Sequence, residues 1–312
     1  MSRPATYTST VPVICIGNFT AGGTGKTPFV RVVVAMLREL GHTPVVLSRG
    51  YGGSELGPHW VDNAHDTAAR AGDEPLLLAA TVPVMVARDR VAGARAIEAA
   101  SAPHPLASVI VMDDGLQNPA LAKTLTIAVI DATRGVGNGH CIPAGPLRAP
   151  LELQLGHADA LLFNRGDRGQ EPSPLAAQLA AQFKGPVLSA VIAPAQGLDW
   201  LKGQKVIAFA GIGVPERFFA TLKAAGATVC NAQAFADHHA YTADDAQRLL
   251  SLAKAENATL VTTEKDHVRL NGSGGALAEL AAASRILPIE LRLDAPSQAT
   301  LHELLAQRCP IS

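Results

Sequence analysis

The stretch Asn18–Pro28, NFTAGGTGKTP, follows the apolar run VPVICIG at 11–17 and leads into a helical pattern. A strand, a glycine-rich turn and a helix in that order aim the first backbone N–H groups of the helix at one spot, where phosphate oxygens bind. Lys26 adds a point charge for the β- and γ-phosphates, and the Thr27 hydroxyl can join a Mg²⁺ site. The strict pattern asks for glycine where this chain has Thr20. Gly22, Gly23 and Gly25 still supply the close turn. The run Thr20, Ala21, Gly22, Gly23, Thr24, Gly25, Lys26 and Thr27 is therefore read as a phosphate loop. The helix after it is marked by Phe29, Val32, Val33, Met36, Leu37 and Leu40, with Pro28 in its first turn and Gly41 at its end.

The same alternation continues along the chain. Near-continuous apolar runs at 43–48, 82–87, 107–113, 124–130 and 158–163 read as parallel strands covered on both faces. A further helix is expected from Gly72-Asp73-Glu74-Pro75. The fold class is α/β, an open and doubly wound parallel sheet of the phosphate-loop NTPase type. Past residue 185 strands are expected at 186–192, 204–210, 227–231, 258–263 and 285–293, with helices at 214–225, 242–256 and 296–308. Residues 1–194 should form a nucleotide-binding domain and 195–284 a smaller α/β domain closing over the site. Strands 186–192 and 285–293 would link them as a two-stranded bridge, and the last helix of 285–312 would return to the first domain. GSGG at 272–275 reads as a surface loop.

Composition narrows the function. The 312 residues suffice for two such cores, and 48% hydrophobic with 17% charged is ordinary for a globular protein. A net charge of −1, scattered basic residues and 4% aromatics leave neither an electrostatic footprint nor stacking platforms for nucleic acid. Cys15, Cys141, Cys230 and Cys309 make no Cys-x-x-Cys clip and read as reduced thiols of an intracellular protein. MSRPATYTST lacks the apolar centre of a secretion signal, and LLLAATVPVMVA is too short and Pro-interrupted to span a bilayer. A protein that is soluble, or at most peripheral to a membrane, is expected.

Four other constellations carry chemistry. SVIVMDDGLQN ends an apolar strand in Asp113 and Asp114, the place of the carboxylate that holds Mg²⁺ near a phosphate loop. AGDEP puts Asp73 and Glu74 at a helix N-terminus, where capping and general-base work both fit. That position favours the charged carboxylate, so a base there needs a partner to share the proton. FADHHAYT brings Asp237, His238 and His239 together, for acid–base work or loop capping. Without a Cys or third His at zinc spacing, zinc is disfavoured. LSRGYGG and CIPAGPLRAP follow strands and place Arg49 and Arg148 where open α/β sheets bind ligands. Against these, Asn164-Arg165-Gly166-Asp167 mimics a guanine-reading loop, although Arg stands where Lys is wanted and a plain polar turn accounts for it better. It keeps a GTPase-type switch or metal-insertion chaperone as the alternative.

Together IGNFTAGGTGKTP, VVLSRGYGG, AGDEP, VMDDGLQ, PAGPLRAP, FAGIGVPERFF, FADHHAYT and VTTEKD resemble the tetraacyldisaccharide 4'-kinases of lipid A biosynthesis, in the family's order over about residues 13–270. The family's loop also lacks the leading glycine. The resemblance implies Mg²⁺-dependent transfer of the ATP γ-phosphate to the 4'-hydroxyl of lipid A disaccharide 1-phosphate. It implies a monomer at the cytoplasmic side of the bacterial inner membrane, in peripheral contact with it. Lys26 and Thr27 would hold phosphates and Mg²⁺, with Asp113 and Asp114 in the metal site. Asp73 would be the base on the sugar hydroxyl and His238 its partner from the other domain, the pair forming as the domains close. Arg49, Tyr51, Glu74, Arg90, Gln117, Arg148 and His239 fall in matching segments as substrate candidates. Only ten polar residues precede Val11, where the family carries an apolar, basic docking helix. Either the natural start lies upstream or another surface docks.

Overall fold

The computed structural model describes residues 5–166, 169–272 and 274–311. Its strands are β1 (Val13–Gly17), β2 (Pro44–Ser48), β3 (His59–Trp60), β4 (Val84–Val86), β5 (Val109–Asp113), β6 (Leu125–Asp131), β7 (Ala160–Asn164), β8 (Val187–Pro194), β9 (Lys205–Ala210), β10 (Thr228–Ala234), β11 (Thr259–Thr263), β12 (Ser284–Leu287) and β13 (Ile289–Leu293). Among the described residues they make two sheets, ordered β13-β8-β7-β6-β1-β5-β2-β4-β3 and β10-β9-β11-β12. The large sheet is parallel except at its rims, where β3 and β13 run antiparallel. Every residue of β1, β2, β5, β6 and β7 is buried, which is why these runs read as continuous rather than alternating apolar sequence.

Helices cover both faces. They are α1 (Lys26–Glu39), α2 (Ala68–Ala71), α3 (Asp73–Ala79), α4 (Arg90–Glu98), α5 (Leu151–Leu155), α6 (Pro174–Gln182), α7 (Pro215–Ala224), α8 (Ala243–Glu256), α9 (Glu264–Leu270), α10 (Ala276–Ala283) and α11 (Ala295–Arg308). On one face Phe29, Val33 and Leu37 of α1 and Leu301 and Leu305 of α11 pack on Ile14, Ile16, Val111 and Ile127. Burying each large apolar side chain contributes roughly 1.5–3 kcal/mol. The opposite face is covered by Ala176 and Leu179 of α6, and by Ala94 and Ile97 of α4. The small sheet is wholly parallel, with Phe218 and Leu222 of α7 on one side and Leu249, Leu270 and Leu280 on the other.

The expected strand at 285–293 divides at Pro288, whose ring nitrogen has no hydrogen to continue a ladder. Ser284–Leu287 stays in the small sheet, while Ile289–Leu293 crosses to pair antiparallel with β8. The β8–β13 pair thus joins the two sheets, and through β7 it is also the rim of the large one. α11 packs on the large sheet, where Ser189 N donates to Ser297 Oγ at 2.8 Å. No helix among the described residues is long and apolar enough to cross a membrane.

Candidate active site

The loop between β1 and α1 is shaped by neighbours from two other segments. Ala21 N donates to Pro146 O at 2.8 Å, Arg148 N donates to Phe19 O at 2.9 Å, and Thr20 bridges Leu147. These bonds zip its first half to the 141–150 loop. Farther along, Asn164 Nδ2 donates to Thr24 O at 3.0 Å. Gly22 and Gly25 have φ of 101° and 94°, the left-handed region that glycine takes without strain. A Cβ on Gly25 would sit 2.7 Å from Asn164 Nδ2, whereas one on Gly23 meets nothing within 4 Å. Protein therefore fills the inner side of the turn and leaves its outer side clear. α1 starts with neither a side-chain cap nor an acidic residue in its first turn, so its leading N–H groups and positive dipole end serve an anion.

Beside the loop stand the two carboxylates that end β5. Asp114 takes a left-handed φ of 53°, a strained conformation for a non-glycine residue. Its Oδ1 lies 3.6 Å from Lys26 Nζ, and Arg148 Nη1 donates to both its oxygens at 2.9 Å. Burial pushes the Asp114 carboxyl up, but Lys26 and Arg148 outweigh it and hold the group below its ordinary range. Asp113 is 2% exposed, and its Oδ1 has no hydrogen-bond partner. Burial first, then the charge of Glu74, pushes its pKa up to about 7. An orphaned, buried carboxylate oxygen beside a phosphate cradle fits a divalent cation, whose charge would ionise it. Among the described residues no three His, Cys, Asp or Glu side chains converge as a dedicated cage. That suits Mg²⁺, which takes one or two carboxylates and completes its shell with phosphate and water oxygens.

The third group joins the two sheets. Gly72, at φ 92°, turns the chain so that Asp73 opens α3, buried at 5% exposure. Asp73 Oδ1 accepts from Glu74 N at 2.8 Å. Oδ2 lies 3.0 Å from His238 Nδ1 and accepts from Arg269 Nε at 3.0 Å and Nη2 at 2.5 Å. His238 comes from the loop after β10 with φ 57°, its N–H donating to Gly211 O at 3.1 Å. Tyr51 meets its ring edge-on, centroids 5.9 Å apart. Burial raises the Asp73 carboxyl, yet Lys265, Arg269 and His238 together bring it below the usual range. Glu74 behaves alike: burial raises it, and Lys265, 2.5 Å away, and then Lys26 lower it. Glu74 follows Asp73 in the first turn of α3 and is held by Lys265 of the small-sheet side.

The expected residues do not all converge. Lys26, Thr27, Glu74, Asp113, Asp114 and Arg148 gather at the loop, and Asp73, His238 and Tyr51 form the adjoining group. Arg49 is exposed at the end of β2. Three substrate candidates have polar groups bonded within the protein. Arg90 is 3% exposed and donates to the carbonyls of Ala87 at 2.6 Å and Asp113 at 3.3 Å, bracing the end of β5. Gln117 Nε2 donates to Asn18 O at 2.8 Å and to Gln154 Oε1 at 2.6 Å, supporting the root of the loop. His239 pairs with Asp245 at 3.0 Å and stacks on Phe235, so it serves the start of α8. Asn164 braces Thr24 and accepts from Gly166 N at 3.0 Å, and Arg165 donates to the carbonyls of Gly169 and Gln170, so the guanine-loop likeness is a turn. Asp167 lies outside the described residues. Arg269 and Lys265 were missed. The only available signal was VTTEKD, with Lys265 and Arg269 four apart on one face of a helix.

Comparison with known proteins agrees with this geometry. The family model described as LpxK, tetraacyldisaccharide-1-P 4'-kinase, matches residues 2–309. A tetraacyldisaccharide 4'-kinase of Rhodopseudomonas palustris strain BisA53 is 54% identical over 286 residues, covering 91% of this chain and 81% of the relative. One from Methylobacterium nodulans is 49% identical over 312 residues, covering 99% and 87%. The crystal structure of LpxK from Aquifex aeolicus in complex with ATP superposes with a TM-score of 0.73 at 27% identity, covering 98% of this chain and 90% of that one. The chain, with its two sheets and its loop-and-carboxylate site, belongs to the tetraacyldisaccharide-1-P 4'-kinase family.

Proposed function

We propose that the protein transfers the γ-phosphate of ATP to the 4'-hydroxyl of tetraacyldisaccharide 1-phosphate, a step of lipid A biosynthesis. The observation that carries this reading is the 3.0 Å contact of His238 with Asp73, made at the carboxyl edge of the sheet that also carries the phosphate loop. The loop N–H groups and Lys26 bind and neutralise the phosphates, and phosphoryl transfer depends chiefly on such positioning and electrostatics. Thr27, Asp113 and Asp114 would hold Mg²⁺, which supplies further charge neutralisation on the phosphate oxygens. Asp73 and His238 orient the attacking hydroxyl and hold its proton as a coupled pair. Arg148 keeps Asp114 in place beside Lys26 and is available to an anionic group.

Residues 1–194 serve in this reading as the nucleotide-binding domain and 195–284 as the smaller domain facing it, since His238 and Arg269 reach Asp73 from the small-sheet side. An acceptor bearing acyl chains has to be met at a lipid surface. This supports peripheral attachment at the cytoplasmic side of the inner membrane, with Tyr51 at 72% and Leu56 at 59% exposure on the site side of β2. ATP is favoured over GTP because the Asn164 amide, which a guanine-reading loop needs free, is spent on Thr24. The test is transfer of labelled γ-phosphate from ATP or GTP to tetraacyldisaccharide 1-phosphate, with the modified position read by mass spectrometry. Label at the 4' position with ATP preferred is expected; no lipid labelling from either nucleotide sinks the proposal.

A further inference from the structure

We propose that Arg269 is a positioning residue of this site, holding Asp73 in one orientation and as an anion toward His238. The inference rests on the reading that Asp73 and His238 serve the transfer. Arg269 is 6% exposed and committed on both sides. Behind it, Nη1 donates to Asp266 Oδ1 at 2.8 Å and to Gly211 O at 2.6 Å. Asp266 is fully buried and itself fixed, accepting from Gly211 N at 2.9 Å, Tyr241 OH at 2.9 Å and Thr263 Oγ1 at 2.6 Å. The small sheet therefore presents the guanidinium in a single pose.

Its front edge meets Asp73 unusually. Nε and Nη2 both converge on Oδ2 instead of forking across the two carboxylate oxygens. Oδ2 is thus shared by Arg269 and His238, while Oδ1 accepts only from Glu74 N and keeps a lone pair open. A carboxylate held by four nitrogens, three on Oδ2 and one on Oδ1, cannot rotate without losing them. Carrying the hydrogen, His238 Nδ1 donates to Oδ2; bare, its lone pair would face that oxygen. The anionic Oδ2 that Arg269 holds in place at 3.0 Å thus favours hydrogen on Nδ1 over the longer 3.5 Å approach of Arg269 Nη2 to the same nitrogen. The charged groups facing Asp73 are Arg269, Lys265 and Asp266 of α9, His238 with Asp237 beyond it, Glu74 on its own helix and Lys26 past Glu74. Lys265 is taken up by Glu74, so Arg269 is the one in direct contact with Asp73.

The experiment compares Arg269→Gln, Arg269→Lys and Asp73→Asn in steady-state transfer across about pH 5 to 9, with ATP affinity measured in parallel. Arg269→Gln is expected to lower kcat roughly a hundredfold with ATP Kd within about twofold. Removing a cation beside the Asp73 carboxylate lets it keep its proton to higher pH, so the acidic limb of kcat/KM moves up by about one unit. Arg269→Lys keeps the charge but not the planar donor edge, so its acidic limb stays at the wild-type position while kcat recovers only in part. A folded Arg269→Gln protein with a wild-type acidic limb overturns the proposal. Should that variant fail to fold, Arg269→Lys decides: reduced kcat with an unmoved limb supports the assignment, and wild-type kcat or a shifted limb overturns it. If Asp73→Asn retains full activity, the underlying reading of the dyad is what fails. If Asp73→Asn is inactive and the arginine variants behave as wild type, the role given to Arg269 alone falls.

Discussion

At the residue scale, the site is a set of charges placed so that each is fixed by another. Lys26 is 10% exposed and approaches Asp114, which Arg148 holds from the other side. Lys26→Ala should therefore leave the fold intact while lowering kcat by about 10³-fold or more, because a positioned cation on the phosphoryl group acts in the transition state. A circular dichroism melt and single-turnover transfer check both halves, and near-normal turnover in a folded variant would falsify the phosphate-loop assignment. Asp113→Asn should raise the Mg²⁺ concentration needed for half-maximal rate by roughly tenfold, since the orphaned oxygen loses its negative charge; an unchanged Mg²⁺ titration would return Asp113 to a structural role. Much at this scale was legible in the sequence. The glycines, Lys26, the paired aspartates and the two-residue acidic turn each stand next to an apolar run that fixes their place at a strand end or helix start. What sequence does not carry is direction. Arg90, Gln117 and His239 lie in the same segments as the other candidate residues, yet their polar atoms bond to carbonyls, an amide or a carboxylate of the protein itself. Arg269 was hidden for the opposite reason: its partner is 196 residues away.

At the element scale, α9 explains why the pieces meet. It is a short helix, capped by Thr263 with Asp266 N donating to the Thr263 hydroxyl at 3.1 Å, and nothing in its seven residues shows a long apolar stripe. Its outward residues reach the large-sheet layer three times: Glu264 to Arg31 at 2.9 Å, Lys265 to Glu74 at 2.5 Å and Arg269 to Asp73 at 2.5 Å. Helices this short, like α5, are poorly marked by periodicity, which needs two or more turns to show. α8, by contrast, carries a full capping box, Thr242 and Asp245 bonding each other's backbone N–H, with His239 added on Asp245. Burial pushes the Asp245 carboxyl up, but the His239 and Thr242 bonds prevail and lower it to about 2. The folded pKa lies below the unfolded value of about 3.9, so this stabilisation is fully present above that pH and disappears as pH falls through the folded value. Asp245→Asn should consequently cost stability at neutral pH, with the gap to wild type narrowing between about pH 4 and 2. Urea titrations at both ends measure it, and a gap that stays constant with pH would show that charge plays no part in this cap.

At the scale of the whole molecule, a largely parallel sheet and a smaller parallel one contribute unequal halves of the candidate site. The large sheet supplies the phosphate loop on β1, the carboxylates after β5 and the acidic turn of α3, all at the carboxyl edge where open α/β sheets gather ligands. The small sheet supplies His238 and the α9 cations. The doubly wound plan and its restart past residue 185 were readable from alternating apolar runs and helical spacing. The crossing at Pro288 was not, because the nine residues 285–293 look like one strand until their pairing partners are known. That the acid–base pair spans both sheets is the central claim, and a double-mutant cycle on kcat tests it most directly. Asp73→Ala and His238→Ala are compared singly and together, with ATP Kd measured for each. Expected are strong losses in both single variants, little change in ATP binding, and a double variant hardly worse than the poorer single, since residues acting as a unit are non-additive. Fully additive losses, or a His238→Ala protein with wild-type kcat, would contradict a shared pair built from both halves of the chain.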